Sequence, residues 1–391
     1  MCPAFGSERL FSDWSVSWLT PSNHLATKMT PLSNVVVLWF LLSLFWGSKP
    51  QIELVGVLEH PRFAHTTDRI GVDRFLLVGG LASEGAVLGS FLLDTSNGVQ
   101  ERPVEMTRNR HSHSSTVLCD GRILVVGGYD SNNDYLAHAE IFDPNTGVFR
   151  ESAPLRVPRA GHTATRLSDC RVLVVGGVGS GWTFLSSAEI YDPETGQWAT
   201  AGALRTARES HTATLMPSGD VLIAGGHSGV RRNLEILDSI ERFDKETNAF
   251  DSHGRLSVRR HKHDAILLDE NHLWVIGGSD ERDAAGTYSS TELVNLTTGE
   301  TRSGPPLHQG RYKLRGTVIK HEGGIVSILG GSTKAEVFTN GLNKSYLLDS
   351  SDLAGQFSTA TKSTDKDVII VGGYGTGMAL SSKVWRFRLT E

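Results

Sequence analysis

The stretch His162-Thr163-Ala164-Thr165-Arg166-Leu167, followed by Arg171-Val172-Leu173-Val174-Val175-Gly176-Gly177, then Ala188-Glu189-Ile190-Tyr191 and Gln197-Trp198-Ala199, decides the architecture. Four short segments suited to β-strands stand in a row, with turn residues between them and no helix-length amphipathic stretch. The second is a continuous apolar run, the pattern of a strand buried on both faces. Between the third and fourth lies Asp192-Pro193-Glu194-Thr195-Gly196, where proline presets a turn and glycine accepts positive φ. Asp143-Pro144-Asn145-Thr146-Gly147 repeats this one unit earlier, and Asp120-Gly121 and Ser218-Gly219 are hairpin signals between first and second strands. The unit reads as a four-strand antiparallel meander.

Outward from this unit the glycine pair recurs, at Gly79-Gly80, Gly127-Gly128, Gly176-Gly177, Gly225-Gly226, Gly277-Gly278, Gly330-Gly331 and Gly372-Gly373, each ending an apolar run. Seven pairs imply seven units. The glycine pair, the four strands and a later aromatic at Phe149, Trp198 or Phe250 resemble the kelch repeat, and the resemblance covers residues 51–391. It implies an all-β fold of the galactose oxidase/kelch-like superfamily: a seven-bladed β-propeller of four-stranded antiparallel blades. Units 6 and 7 depart furthest from the pattern.

The last unit runs out of chain after its third strand, near Leu389. Residues 51–58 precede Pro61-Arg62-Phe63-Ala64-His65 as residues 198–204 precede Ala207-Arg208-Glu209-Ser210-His211. The N-terminal strand should therefore complete the last blade and close the ring, leaving no open sheet edge. The expected division is a leader at 1–50 and the propeller at 51–391.

In the leader, residues 35–46 form a charge-free run of twelve, fitting a signal-peptide hydrophobic region and short of the ~20 residues that span a bilayer. Export is the natural reading: secreted, periplasmic, or held by residues 35–46 as an uncleaved membrane tether. The run lies deep in the chain, with Met29 six residues before it, which suggests Met29 rather than Met1 as the start. Formal net charge is −5, and the longest basic runs are the Arg231-Arg232 and Arg259-Arg260 pairs, which argues against nucleic acid as a partner. Of three cysteines, Cys119 and Cys170 fall in neighbouring repeats two residues out of register, a spacing that neither requires nor forbids a disulfide.

In such a meander the loops from strand two to three, and from strand four to the next blade, share one face. That face carries everything long, including residues 228–235 and 279–286, and binding residues tend to sit on such loops. A ligand, protein or carbohydrate, is expected there at the channel mouth.

The most repeated polar signal is Arg-x-x-His: Arg62/His65, Arg110/His113, Arg159/His162, Arg208/His211 and Arg260/His263, with Arg311 and Leu314 in unit 6. A feature that recurs with the fold reads as a structural joint rather than a catalytic centre. Glu140, Glu189, Glu241, Glu292 and Glu336 of the third strands are its expected ion-pair partners. The pairs His111/His113 and His261/His263 would place both rings on one side of a strand, but the second histidine is already the repeat residue; no metal or cofactor is expected.

Positions that vary between units are better site candidates. The residue before the repeat histidine is Ala64, Ser112, Gly161, Ser210, Lys262 and, in unit 6, Lys313. In kelch proteins that resemble this one, side chains there and just after the glycine pair face the ligand mouth. Carried over, this nominates Lys262, Lys313 and Tyr312, with Tyr129, His227 and Tyr374 after their glycines. A basic and aromatic mouth suits an acidic sugar or a carboxylate-rich peptide.

The resemblance admits two functions. One is an extracytoplasmic binding module. The other is a propeller enzyme, and of these a copper radical oxidase like galactose oxidase needs a cysteine cross-linked to tyrosine, whereas Cys119 and Cys170 belong to the short-turn face. A sugar mutarotase resembling the sialic-acid epimerases needs only an acid-base pair and a carboxylate-binding cation, for which Lys262 or Lys313 with His227 could serve.

Overall fold

Seven four-stranded antiparallel sheets form a ring in the protein, a computed structural model that describes residues 50–390 except 86, 231–232, 281–285, 349–352 and 354. The leader, the run at 35–46 and Met29 lie outside the described residues, as do the tips of the long loops in blades 4 and 5. Blade 3 shows the pattern: Thr163–Arg166 lines the channel, Val172–Val175 is wholly buried, and Ser187–Asp192 and Gln197–Ala203 lie progressively outward. Blade 7 is composite. Its sheet runs Thr359–Lys362, Asp367–Val371, Lys383–Arg388 and then Gln51–Val57, whose residues pair antiparallel with Lys383–Arg388.

Hydrophobic burial holds blade to blade. Leu173, Val175, Ala188 and Ile190 of blade 3 pack against Val221, Ile223, Phe243 and Phe250 of blade 4, and the other clusters bridge neighbouring blades in the same way. The late aromatics pack across strands, Phe142 on Phe149 and Tyr191 on Trp198, with ring centroids 5.0 Å apart in both pairs.

The glycine pairs have two causes at once. Gly127 and Gly128 take φ of 66° and 97°. A Cβ on Gly127 would also stand 2.5 Å from the carbonyl oxygen of Arg159 in the next blade, and one on Gly128 2.5 Å from that of His111. Only glycine meets both the conformation and the close approach.

Cys119 and Cys170 form a disulfide between the first hairpins of blades 2 and 3, with Cα atoms 5.7 Å apart. The two-residue offset that left this open is absorbed by the turn. Cys170 has φ of 71° and takes the place of Gly121 in the neighbouring hairpin, so the doubled-back chain swings its side chain toward Cys119.

Candidate functional site

The Arg-x-x-His repeat builds the walls. Each arginine is fully buried and donates to carbonyls of its own blade: Arg159 Nη1 to Gly176 O and Ser187 O, and Nη2 to Glu189 Oε1 at 3.0 Å. Arg110–Glu140, Arg208–Glu241, Arg260–Glu292 and Arg311–Glu336 pair at 2.7, 2.5, 2.6 and 3.3 Å. Blade 1 has no glutamate on its third strand; there Arg62 faces Glu101 of the fourth strand at 3.9 Å. The glutamates also accept from the backbone entering their blade, as Glu189 does from Arg156 N and Val157 N.

The histidines reach backward. His65, His113, His162, His211 and His263 lie within hydrogen-bond distance of Thr359, Thr66, Ser114, Thr163 and Thr212, in every case the first residue of the preceding blade's inner strand. At the joint of blades 5 and 6, where Leu314 replaces histidine, Asp264 Oδ2 accepts from Thr317 N and Val318 N instead.

Above this layer sits a collar. Ala64, Ser112, Gly161, Ser210, Lys262, Lys313 and Phe357, one per blade, all have φ between 52° and 63°. Their backbones hydrogen-bond in two arcs: Ser112 N to Ala64 O and Gly161 N to Ser112 O, then Lys262 N to Ser210 O, Lys313 N to Lys262 O and Phe357 N to Lys313 O. The left-handed turn interrupts strand alternation. His111 and His113 therefore do not share one strand face: His111 stacks on Tyr129 with centroids 5.1 Å apart, while His113 turns to Thr66. Among the described residues no group of three or more His, Cys, Asp or Glu is arranged to hold a metal ion.

The collar rims a cavity of about 470 Å³ that all seven of its residues line, with Glu209, Arg315 and Asp68. Lys313 Nζ stands 4.9, 5.1 and 5.0 Å from the ring centroids of Tyr312, Phe357 and Tyr374 and donates to the Tyr374 hydroxyl. Lys262 Nζ donates to Tyr312 Oη at 3.3 Å. Tyr312 and Tyr374 are almost fully buried, so they back the wall and position the lysines rather than present open faces. His227 is equally buried: its Nδ1 lies 3.2 Å from His261 Nδ1, and its Nε2 lies 3.5 Å from Glu209 Oε2. Tyr129 lies between His111 and Tyr135, within electrostatic reach of Glu209.

Sequence reading missed Glu209, Arg315, Asp68 and Phe357. Glu209 folds over Gly161, where a Cβ would meet its carboxylate at 2.3 Å, so the glycine of blade 3 makes room for the acid of blade 4. Arg315 projects into the cavity, open to channel solvent yet enclosed by protein. Enclosure lowers its pKa, and Asp264 and Glu209 oppose that shift. Burial raises Asp68 to about 6, with Ser115 opposing. Variation between blades, applied to the residue before the collar position and to the second residue after it, would have found Glu209 and Arg315.

The sequence model of the Attractin/LZTR1 β-propeller matches residues 93–295, more than half of the chain. The chain belongs to the Attractin/LZTR1 β-propeller family. No curated protein matches this Attractin/LZTR1-type propeller. Among solved structures, a fungal alcohol oxidase, described as having catalytic diversity among the AA5 family and solved in complex with copper, is similar in fold. Its TM-score is 0.70 at 14% identity, over 88% of this chain and 76% of that one. YjhT gives a TM-score of 0.56 at 16% identity, over 75% of this chain and 99% of that one. Likeness at such identity concerns the fold. A thioether-linked copper centre does not fit the residues present in this propeller, because Cys119 and Cys170 are joined to each other on the short-turn side.

Proposed function

We propose that this propeller is an extracytoplasmic binding module that takes an anionic ligand, an acidic saccharide or a carboxylate-bearing peptide, in the mouth of its central channel. The observation that carries the reading is the convergence of Lys262, Lys313 and Arg315 on one cavity of about 470 Å³. The collar backbone and the rings around Lys313 hold the cations in place before a ligand arrives, which lowers the ordering cost of binding. Ser112, Ser115 and Thr361 also line the cavity, a polar wall that suits a polyhydroxylated body. The Cys119–Cys170 disulfide supports export, since structural disulfides persist in oxidising compartments.

A second reading, sugar mutarotase, draws on Glu209. Its carboxylate sits beside His227 and shares the cavity with Arg315, an acid-base pair opposite a cation that could hold a substrate carboxylate. NMR of the protein with neutral and acidic sugars, reading saturation transfer and anomeric exchange together, separates the two. Transfer from acidic sugars alone, lost ~10-fold or more in Arg315→Ala, supports the binding module. Accelerated anomeric exchange that disappears in Glu209→Gln establishes the mutarotase, and no transfer from any sugar leaves the carboxylate-bearing peptide.

A further inference from the structure

The chain holds two Asn-x-Ser/Thr triplets, Asn295-Leu296-Thr297 and Asn343-Lys344-Ser345. Such triplets accept an N-linked oligosaccharide during export and need a surface position in the folded protein. Both lie where a third strand passes to a fourth, in adjacent blades 5 and 6 on the face opposite the ligand mouth: Asn295 ends the third strand of blade 5, and Asn343 immediately precedes the fourth strand of blade 6. We propose that Asn343 carries an N-linked glycan. The inference rests on the export reading and adds a covalent modification site to it.

The two triplets differ in what folding does to them. Asn295 is half-buried, its Oδ1 accepts from Thr297 N and Thr298 N at 2.9 Å each, and the middle residue Leu296 is buried in the blade. Its carboxamide is part of the turn. Asn343 and Lys344 are exposed and follow Asn340, Gly341 and Leu342, all at positive φ, so Asn343 stands at the end of a tight turn just before the fourth strand. The Asn343 carboxamide makes no hydrogen bond among the described residues. Asn343 lines a groove of about 410 Å³ between blades 5 and 6, whose wall mixes Leu268, Leu293 and Leu342 with Asp269, His272 and Arg302. The apolar face of the first sugar would lie on the leucines and its hydroxyls would reach Arg302. The Cys119–Cys170 disulfide points independently to an oxidising, exporting compartment.

In the modification a lipid-linked oligosaccharyl diphosphate supplies the sugar. The Nδ2 of Asn343 forms a bond to the anomeric carbon and loses one proton. The bond from that carbon to the diphosphate oxygen breaks, and the lipid diphosphate leaves with the electron pair. Because the attachment point and the channel mouth are on opposite faces, the glycan leaves the mouth clear.

The full chain, produced in a eukaryotic secretory cell, should shift in mobility on treatment with an amide-cleaving N-glycosidase. Asn295→Gln should retain the shift, and Asn343→Gln and Ser345→Ala should lose it. An unshifted wild-type chain, or a shift that survives Asn343→Gln, overturns the proposal. Alkylation of free thiols in the same sample separates the causes. An intact Cys119–Cys170 disulfide without a glycan refutes the site alone, whereas two free thiols without a glycan refute the export reading as well.

Discussion

The imidazole Nε2 of His162 lies 2.8 Å from the Oγ of Ser114 in the neighbouring blade. Four further joints repeat the contact. All five imidazoles are held neutral: burial is the main cause, followed by the arginine of the same blade, with His65 pushed down to about 3 and the others well below the usual value.

This sets how stability depends on pH. Unfolded, the five histidines take up protons near pH 6.5, so each contributes stability above that pH which is lost as the pH falls toward its folded value. Asp68 and Asp264 act oppositely. Burial raises both to about 6, so the folded state keeps their protons where the unfolded chain has released them, and acidification favours the fold at these two sites. Five outweigh two. Near pH 5 these seven groups together give the unfolded chain about three more protons, a slope of roughly 4 kcal/mol per pH unit, and His111, His253 and His321, also lowered by burial, add in the same direction. The urea midpoint should fall steeply from pH 7 to pH 5; a flat or rising midpoint contradicts this account.

The Arg159–Glu189 pair should be costly to break. Both side chains are buried, and Glu189→Gln leaves a guanidinium without its counter-charge, a loss of about 3–5 kcal/mol. Asp169→Asn removes the partner of Arg171 at a pair that is one-third to one-half exposed and should cost under about 1 kcal/mol. Chemical denaturation of the two variants checks the contrast, and equal losses would contradict it.

The disulfide joins residues 51 apart in sequence. Chain-entropy reasoning gives it about 2–4 kcal/mol. Cys119→Ser with Cys170→Ser should lower the melting temperature by several degrees while leaving far-UV circular dichroism unchanged, because the clasp lies on hairpin turns outside the sheets. A melting temperature equal to wild type would show that the blade interface needs no clasp.

Removing residues 51–58 takes the outermost strand from blade 7 and leaves Lys383–Arg388 as an unpaired edge. Exposed edges invite association. The truncated protein should aggregate or unfold at temperatures the full chain tolerates, measured by light scattering during a thermal ramp. A soluble monomer with unchanged melting temperature would show that the ring closes without the strand.

Turn chemistry and period were enough, from the sequence alone, to establish the blades, their number and the closing strand. These are local properties: Asp-Pro-Glu-Thr-Gly at 192–196 turns wherever it stands, and a buried strand such as Val172–Val175 is apolar in any blade. The partners of the repeat arginines were legible for the same reason, since Arg159 and Glu189 occupy fixed places in one blade.

The site depended on relations between blades. Glu209 and Arg315 are 106 residues apart and meet at one cavity only because the ring curves blades 4 and 6 around the same channel. Spacing along the chain carries no measure of that curvature. Nor does it show how deep a side chain lies, so Tyr312 and Tyr374, chosen as ligand contacts, stand behind the lysines they hold. The left-handed collar, the seat of Glu209 over Gly161 and the Cys119–Cys170 clasp likewise follow from the angle at which one blade packs on the next.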